Sequence, residues 1–582
     1  MRICFSEDKE HVFFVHSDAY EYKFLSKFPA FIKQGPYHCL PAKINVVHNV
    51  VQRLQQSKKR LELDKDVYDF LQQPFVLREI PAGFIFHTKP MDYQQLSLRY
   101  LYTVGSGGLL LDPGMGKSKV VLDYIWLMGF RKTVVVCPKP LLFVWEDEIA
   151  IHRPELTFHT VTSTDWDSEK AGVASSMVTI INYTKAVLFQ KELEREGFDF
   201  LHLDEFLIKD PSTDRTKSLT AIAKTVKYRC GGSGTLVNNS VLDVFSPVRY
   251  LEPSLVGWSF TNFKDKHVIK NPRDPKQVVA YTGMREARSI LESCCIVMTK
   301  DKWLKLPTKR LHDIHVSLTD EQRDIYWGLT RNYTAVVQGN VVDIDNPLVM
   351  LSKLYQISNG FIYVSPTEDE PDNEVCELLA DDERKKPKKK RTTIFFENSA
   401  KIRALEKLLT EKIQDRKAII WFNMSAEYEL IKALLNRIGS SYLTIRGGEA
   451  NTGDKVRTFN TTPSIQWLVC QAKSVNYGIT VLGTSEDKLE ASGVEVMPGI
   501  SPEVFTQVFY SVNFSLEVFL QQQDRIHRLG QRHDCDYYRI FASTPVELRI
   551  REAIEDKMSI RKEMLVDIAE SLRKETPTVT TV

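Results

Sequence analysis

The sequence predicts an α/β protein that has two α/β regions in tandem and a small α+β unit in front of them. From about residue 90, short apolar runs alternate with helical patterns, and a second series of the same kind begins near residue 394. Short, continuous apolar runs are typical of parallel strands that helices cover on both faces. Residues 1–85 instead mix short alternating stretches with one helical run at 42–54, and this mixture predicts the α+β unit.

The candidate strands and the domain boundaries follow from these patterns. The predicted strands are residues 108–111, 133–136, 177–181 and 200–203 in the first α/β region and residues 418–422, 465–469 and 508–510 in the second. Residues 365–391 begin acidic and end basic, as an exposed loop or linker does, and residues 482–506 look like an insertion. The predicted domains are an N-terminal accessory domain at 1–88, a first lobe at 89–300, a helical and linker region at 301–393, a second lobe at 394–548, and a C-terminal helix and tail at 549–582.

The composition is that of a globular protein with large cores. Of the 582 residues, 43% are hydrophobic and 26% are charged, and no uncharged apolar run reaches the ~18 residues that a membrane-spanning helix needs. The first residues lack the apolar core of a signal peptide. The nine cysteines form no Cys-x-x-Cys pair, so buried free thiols are expected rather than a zinc site or a disulfide framework. The net charge of +2 neither indicates nor excludes a nucleic-acid partner.

Residues 110–118 have the sequence of a loop that cradles phosphates. The loop follows a predicted strand and precedes a helical run, which is the context that such a loop requires. Glycines let backbone N–H groups turn toward the phosphates, and the N-terminus of the following helix adds positive potential. Lys117 is predicted to reach the β and γ phosphates, and Ser118 to hold Mg²⁺. The loop residues are Gly114, Met115, Gly116, Lys117 and Ser118, and Leu111 stands where the full pattern has its first glycine.

A later predicted strand ends in two carboxylates, Asp204 and Glu205. Asp204 can hold Mg²⁺ through water, and Glu205 can polarise an attacking water molecule. The structural alternative is an acidic pair that simply faces solvent at the end of a strand. The acidic pair follows the phosphate loop in the same α/β region, and this order favours a role in nucleotide hydrolysis over that alternative.

Two arginines near the end of the chain predict that the second α/β region contributes to the nucleotide site. Gln521, Arg525 and Arg528 precede the Leu-Gly-Gln run at 529–531. A planar guanidinium group can stabilise the charge on a γ phosphate during its transfer. Because the arginines belong to the second region, hydrolysis is expected to depend on closure of one region on the other.

In their order along the chain, these motifs resemble those of a superfamily 2 helicase of the Swi/Snf type, a branch of DNA-translocating ATPases. The resemblance runs from about residue 93 to residue 547. It implies two RecA-like domains with helical insertions, and ATP and Mg²⁺ as cofactors. Gln94 matches the glutamine motif that reads adenine, and residues 521–531 match the family's Q-x-x-x-R-x-x-R-x-G-Q signature.

The resemblance also assigns segments to DNA contact and to coupling. Residues 137–148 and 182–183 resemble the family's first two DNA-contact motifs. Three positions differ from the family's motifs. The motif that begins with the acidic pair at 204–205 lacks the family's histidine, Leu236 stands where proline is usual, and the motif around residues 474–478 lacks two glycines. None of these differences removes a group that performs the chemistry. The residues expected to couple hydrolysis to DNA contact are Ser233, Gly234, Thr235 and Gly478.

The implied function is that of an ATP-dependent DNA translocase, which couples ATP hydrolysis to movement on double-stranded or branched DNA. Remodelling, fork reversal and strand annealing are outcomes of such movement. A strand-separating helicase on DNA or RNA is the first alternative, and it needs a wedge that the sequence does not reveal. A non-catalytic nucleic-acid-binding scaffold is the second, and the presence of Lys117, Glu205 and both arginines argues against it.

The expected setting of the protein follows from the same resemblance. We expect a monomer that binds DNA and no membrane, in the cytoplasm of a bacterial or phage-infected cell beside the nucleoid, or in the nucleus of a eukaryote. Residues 28–54 are weakly similar to the substrate-recognition domain of annealing helicases, and an unrelated capping domain fits them equally well.

Overall fold

The computed structural model describes most of the chain. The described residues are 2–7, 9, 11–15, 32–34, 37–41, 43, 46–47, 49–51, 54, 61–73, 75–234, 241–256, 259–272, 278–332, 334–337, 340–343, 347–364, 392–396, 398–447, 449, 452–472, 481–483, 501–512 and 515–564. The backbone alone is described at residues 32–34, 37–39, 41, 332, 334–337, 340–343, 347–348 and 559–564. The chain divides into two compact units, Met1–Leu304 with Ser559–Val582, and Lys305–Met558.

The N-terminal part of the first unit is a small α+β structure, as the sequence predicts. Its five-stranded sheet has the order β3-β4-β2-β1-β5, in which β1 is antiparallel to β2 and parallel to β5. Alternate strand residues are buried together with helical residues between 46 and 54, so one face of the sheet carries the core. The elements are β1 (Arg2–Phe5), β2 (His11–Val15), β3 (Ile32–Gln34), β4 (Tyr37–Pro41), β5 (Glu62–Leu63) and α1 (Lys65–Gln72).

The rest of the first unit is built on a parallel sheet of seven strands in the order β14-β6-β11-β10-β7-β9-β8. Its strands and a separate antiparallel hairpin, β12–β13, are β6 (Gly107–Leu111), β7 (Thr133–Cys137), β8 (Phe158–Thr160), β9 (Val178–Asn182), β10 (Phe200–Asp204), β11 (Tyr228–Gly232), β12 (Val268–Lys270), β13 (Val278–Tyr281) and β14 (Cys295–Met298). Every residue of β6, β7, β9 and β10 is buried. Burial on both faces explains their continuous apolar sequences, and the four strands predicted in this region are confirmed.

Helices cover this sheet, and several begin at a side chain that caps them. Asn182 accepts a hydrogen bond from the Lys185 amide, and Thr213 accepts one from the Thr216 amide, which are the contacts that N-cap residues make. The helices are α2 (Asp92–Val104), α3 (Lys117–Met128), α4 (Leu142–His152), α5 (Trp166–Ser175), α6 (Tyr183–Leu188), α7 (Gln190–Arg195), α8 (Asp214–Ala223), α9 (Phe245–Leu251), α10 (Phe260–His267), α11 (Met284–Cys294) and α12 (Lys300–Trp303).

The second unit is built on a parallel sheet of six strands in the order β15-β24-β23-β20-β22-β21. Its strands, with the hairpins β16–β17 and β18–β19, are β15 (Lys309–Val316), β16 (Thr334–Val337), β17 (Asn340–Asp343), β18 (Phe361–Val364), β19 (Thr392–Phe395), β20 (Arg416–Phe422), β21 (Tyr442–Ile445), β22 (Trp467–Gln471), β23 (Ser501–Phe509) and β24 (Cys535–Ala542). The helices are α13 (Asp320–Asn332), α14 (Pro347–Ser358), α15 (Ala400–Lys407), α16 (Ser425–Arg437), α17 (Thr452–Thr461), α18 (Leu516–Gln523) and α19 (Pro545–Met564). The prediction of two α/β regions is thus confirmed. Among the described residues, none of the helices combines the length and the apolar character needed to cross a bilayer.

Two strands of the second unit differ from the sequence prediction. Strand β15 lies at a sheet edge, and none of its residues is buried, so it lacks the apolar run that identifies a buried strand. The sequence predicts a helical and linker region there instead. Strand β23 begins at Ser501, inside the predicted insertion, rather than at Val508. Its first half alternates between half-buried and buried residues, and only its second half is continuously buried. The remainder of that predicted insertion, residues 484–500, lies outside the described residues.

A buried ion pair ties the start of α15 to the start of α19 in the second unit. The side chains of Lys401 and Glu547 are 1% and 2% exposed. Lys401 Nζ donates to Glu547 Oε1 and, at 2.9 Å, to Asn359 Oδ1, while Glu547 Oε2 accepts the Ala542 amide at 2.6 Å. Burial raises the pKa of Glu547, and the charge of Lys401 opposes that rise. The pair is therefore a place where the loss of one partner leaves an uncompensated buried charge.

We predict that Lys401→Met lowers the free energy of unfolding of the protein by about 3–5 kcal/mol, because it isolates the Glu547 carboxylate. The double variant Lys401→Met/Glu547→Gln, which removes both charges and keeps an acceptor for Ala542, should recover part of that loss. Chemical denaturation measures both. The matched control is Arg437→Ala, which breaks the exposed pair between Arg437 and Glu406 and should cost less than about 1 kcal/mol. A double variant no more stable than the single one would contradict the prediction.

Candidate nucleotide-binding site

The phosphate loop joins β6 to α3, and its two glycines have the backbone that glycine favours. Gly114 and Gly116 have φ values of 81° and 72°, in the left-handed region, and Gly116 is the N-cap of α3. A Cβ atom on Gly116 would lie 2.3 Å from Gln94 Nε2. The loop therefore needs glycine at this position both for its turn and for the close approach of α2.

Gln94 fixes the loop from the side of α2. Its Nε2 donates to the Met115 carbonyl oxygen at 3.2 Å, and its Oε1 accepts the Met91 amide at 2.9 Å. The residue predicted to read adenine thus also holds the backbone of the phosphate loop in place.

Lys117 is the first residue of α3, and its side chain is buried in the centre of the site. Its Nζ donates to the Leu111 carbonyl oxygen at 3.1 Å and lies 3.8 Å from Glu205 Oε1. Gly232, at the end of β11, leaves room for it, because a Cβ atom there would lie 3.3 Å from Lys117 Cδ. Ser118, the next residue of α3, is half-buried.

Asp204 ends strand β10 and is 6% exposed. Its Oδ2 accepts a hydrogen bond of 2.9 Å from the indole N–H of Trp145. Burial raises the pKa of Asp204, and the charge of Lys117 and the Trp145 hydrogen bond oppose that rise. A nearby cation would further stabilise the ionised form of this buried carboxylate.

Glu205 follows Asp204 with a left-handed backbone, φ 52°, which is unusual for a residue other than glycine. The Tyr183 hydroxyl lies 2.7 Å from the Glu205 carbonyl oxygen and 3.0 Å from that of Asp204. The Glu205 side chain accepts a hydrogen bond of 3.1 Å from Ser233 Oγ and faces Lys117. The turn at Glu205 therefore directs its carboxylate toward the phosphate loop and away from solvent.

Sheet order explains why these residues meet. Strand β11 lies between β6 and β10 in the parallel sheet, so the carboxyl ends of all three strands open at one edge. In open parallel sheets, ligands bind outside the carboxyl ends of the strands. The phosphate loop, the acidic pair and Ser233 follow β6, β10 and β11 respectively, and a Cβ atom on Gly234 would lie 2.4 Å from Pro113 Cδ of the loop.

The residues present fit Mg²⁺·ATP. Gly114 and Gly116 give the loop its left-handed turns, Lys117 supplies a cation, and the buried Asp204 carboxylate supplies a metal-binding group. This fit rests on the first unit alone, where the structure brings together the predicted residues Gln94, 114–118, Asp204, Glu205, Ser233 and Gly234. The predicted residues Thr235 and Gly478 lie outside the described residues.

The arginine motif lies within the second unit, at the end of α18 and in the turn that follows. Gln521 and Arg525 are buried, and Arg528 is half-buried. The Arg525 amide donates to the Gln522 carbonyl at 3.1 Å, and its carbonyl accepts the Val481 amide at 3.1 Å.

Gln531, the last residue of the motif, stabilises its turn. Its Nε2 donates to the carbonyl oxygens of Val504 at 3.0 Å and Ile526 at 3.1 Å, while its Oε1 accepts the amides of residues 532 and 533. Gln531 therefore has a structural role in the turn, although no chemical role is assigned to it. The roles of Gln521, Arg525 and Arg528 stay predictions.

Sequence reasoning missed the part that Trp145 and Tyr183 play at the acidic pair. It placed both in segments that resemble DNA-contact motifs, whereas the structure buries both side chains against Asp204 and Glu205. Trp145 and Asp204 are 59 positions apart, so no local pattern indicates their contact. The signal that the sequence offered is a general one, namely that buried indole and phenol groups usually find a hydrogen-bond partner.

Similarity searches relate the chain to several proteins. It is 22% identical over 479 residues to the uncharacterized ATP-dependent helicase MG018 of Mycoplasma genitalium, which covers 79% of this chain and 40% of that protein. It is 23% identical over 520 residues to the DNA repair and recombination protein RDH54 of Saccharomyces cerevisiae, covering 79% and 52%. It is 21% identical over 546 residues to the protein CHROMATIN REMODELING 19 of Arabidopsis thaliana, covering 80% and 67%. The chain thus spans about half the length of the curated relatives that it matches.

A solved structure and a family model also match. The SWI2/SNF2 ATPase core of Sulfolobus solfataricus in complex with dsDNA is 19% identical, with a TM-score of 0.38, and the match covers 85% of this chain and 99% of that one. The family model of the SNF2-related domain matches residues 44–360, which is more than half of the chain. The match spans the phosphate loop, the acidic pair and Ser233, and the chain belongs to the SNF2-related domain family.

Proposed function

We propose that the chain is a DNA-dependent ATPase that translocates on double-stranded or branched DNA. The observation that carries the proposal is the cluster of Lys117, Asp204 and Glu205 at the carboxyl edge of one parallel sheet, beside the glycine loop. Membership of the SNF2-related domain family supports ATP use, and relatives named for DNA repair, recombination and chromatin remodelling support DNA as the track.

The first unit supplies the groups that bind ATP and Mg²⁺ and that activate the attacking water molecule. Bound Mg²⁺ would supply positive charge that offsets the phosphate oxygens during transfer. Lys117 would exchange the Leu111 carbonyl for a phosphate oxygen, and Ser118 and Asp204 would hold the metal ion. Glu205, held by Ser233 and by its own backbone turn, orients the attacking water. Gln94 recognises adenine while it holds Met115 of the loop.

The second unit supplies Arg525 and Arg528, with Gln521 beside them. Guanidinium groups that approach the γ phosphate stabilise the charge that develops on it, and they carry no proton that must be removed. Turnover then requires both units, so opening and closing of the two units shifts the grip on DNA once per ATP. Phosphate contacts dominate such a grip, which makes it insensitive to base sequence.

We also propose that the chain acts as a monomer, in the cytoplasm of a bacterial or phage-infected cell beside the nucleoid, or in the nucleus of a eukaryotic source.

A strand-separating helicase is the second candidate function, and one observation favours it. The hairpin β12–β13 is separate from the main sheet and exposes Ile269 and Val279, at 51% and 62%, and an exposed apolar hairpin is a candidate for the wedge that strand separation needs. A strand-displacement assay on tailed duplexes separates the two functions. Robust unwinding that is lost on Ile269→Asp/Val279→Asp favours the helicase, and DNA-stimulated ATP hydrolysis without unwinding favours the translocase.

We predict that duplex or branched DNA stimulates ATP hydrolysis by this chain more than single-stranded DNA or RNA does. The reason is that a translocase couples its turnover to a grip on its preferred track. Steady-state ATPase rates with duplex, forked, four-way and single-stranded DNA and with RNA test this, with Lys117→Ala as the control for contaminating ATPases. Equal rates with and without every DNA tested would contradict the proposed function.

We predict that variants of the two units separate ATP binding from turnover. Lys117→Ala should lose both, whereas Glu205→Gln and Arg525→Ala should keep ATP binding and lower kcat by about 10²–10⁴ and about 10³–10⁵ respectively. Fluorescence titration with a labelled ATP analogue measures binding, and phosphate release measures kcat.

The exposed Arg437 provides the control for these variants, because Arg437→Ala removes a guanidinium group from the same unit at a pair that is 52% and 36% exposed. Arg525→Lys controls for the loss of a buried positive charge, because lysine keeps the charge but lacks the planar guanidinium group. Wild-type turnover in Arg525→Ala, in a sample that melts like the wild type, would contradict the role given to the second unit.

A further inference from the structure

The N-terminal α+β structure and the seven-stranded sheet structure of the first unit form a cavity between them. Its volume is about 530 Å³, which lies in the range of small-molecule sites. Val46 and Phe70 line it from the α+β side, and Val104 of α2 and Cys294 of α11 line it from the sheet side. None of the residues placed above in the nucleotide-binding site lines this cavity, so it is a separate site.

An ion pair and a hydrogen bond join the α+β structure to the sheet structure. The half-buried Lys43 places its Nζ 3.2 Å from Oε2 of the buried Glu252, and both residues line the cavity. Asn49 Nδ2 donates to Ser289 Oγ at 3.0 Å. A ligand in the cavity would contact both structures and would add apolar contacts to this polar junction.

The charged groups of the cavity wall favour an anionic ligand. Glu252 is already satisfied, because its Oε2 accepts from Lys43 and its Oε1 accepts the Ser254 hydroxyl at 2.6 Å. The Lys43 ammonium group has three N–H donors and uses one of them on Glu252. The exposed Arg78 also lines the cavity, and its guanidinium carbon lies 5.8 Å from the centre of the Tyr102 ring. Within the described part of the chain this guanidinium group has no ion-pair partner, so both cations can donate to a ligand.

The rest of the wall favours an apolar ligand that is held without a covalent bond. The hydroxyls of Thr103 and Ser293 donate to carbonyl oxygens one turn earlier in their own helices, at 2.7 Å and 2.8 Å. The contact with the Cys295 thiol and burial raise the pKa of Cys294, so its sulfur stays a neutral, unreactive thiol. The apolar side chains of the wall are Val46, Phe70, Phe75, Val76 and Val104.

We propose that this cavity binds a small organic anion, with an aromatic or aliphatic body and a carboxylate, sulfonate or phosphate group. The body lies against the apolar side chains of the wall, and the anionic group meets Lys43 and Arg78. Because two structures form the wall, the bound anion holds the α+β structure on the sheet structure and stabilises the first unit. The inference is independent of the proposed function, since the cavity and the nucleotide-binding site have no residue in common.

Two fluorescent probes test the proposal, because anilinonaphthalene sulfonate and phenylnaphthylamine share a ring system and differ in the sulfonate group. Each is titrated into the full chain while Mg²⁺ and a non-hydrolysable ATP analogue fill the nucleotide-binding site. We expect saturable binding of both probes, with an affinity about tenfold higher for the sulfonate, which is the effect of a charge-assisted hydrogen bond. At a hundredfold excess over its Kd, the sulfonate should raise the melting temperature by about 4 °C.

Two variants separate the charged part of the recognition from the apolar part. Arg78→Gln should lower the affinity for anilinonaphthalene sulfonate by about tenfold and leave that for phenylnaphthylamine unchanged. Phe75→Ala should lower the affinity for both probes by about tenfold. The matched controls Arg131→Gln and Phe158→Ala remove exposed side chains of the first unit outside the cavity, and they should change neither affinity. Lys43 is kept, because it also pairs with a buried carboxylate.

Five results would overturn the proposal. They are the absence of saturable binding while the nucleotide-binding site is filled, equal affinities of the wild type for the two probes, an unchanged melting temperature, an effect of Arg78→Gln no larger than that of Arg131→Gln, and an effect of Phe75→Ala no larger than that of Phe158→Ala. Arg78 is exposed, so its variant decides the matter even where Phe75→Ala fails to fold. None of these measurements uses ATP turnover, so their failure and that of the proposed function are distinguishable.

Discussion

The first unit's site depends on a buried lysine that lies between a loop carbonyl and the Glu205 carboxylate and whose charge also acts on Asp204. Lys117 bonds to Leu111 and faces Glu205, while its charge opposes the rise in the pKa of Asp204 that burial causes. Taking such charges out of water is costly unless partners compensate each of them. The arrangement is thus ready for a ligand that brings both phosphate oxygens and a metal ion, since each would satisfy one of these groups.

The sheet determines where this cluster can form. Strands β6, β11 and β10 are neighbours and parallel, so their carboxyl ends place the phosphate loop, Ser233 and the acidic pair at one edge. The glycines of the loop and the left-handed turn at Glu205 then direct each group inward. The second unit repeats the parallel architecture, and its arginines follow α18.

Sequence reasoning predicts the parts of this structure that local chemistry determines. Strands such as β6 and β10 are buried on both faces, which gives them apolar runs that are visible in the sequence, and the phosphate loop carries its glycines at a fixed spacing. The edge strand β15 has no such run and was missed. The contact of Trp145 with Asp204 and the backbone of Glu205 depend on tertiary packing, because neither a residue 59 positions away nor a left-handed glutamate has a local signature.

The site in the first unit is best tested by a crystal or electron cryomicroscopy structure of the chain with Mg²⁺ and a non-hydrolysable ATP analogue. The expected result is that Lys117 Nζ has left the Leu111 carbonyl and contacts a phosphate oxygen, with the metal ion beside Ser118 and Asp204. A nucleotide bound elsewhere, or a Lys117 side chain that still donates to Leu111 while the nucleotide is present, would contradict it.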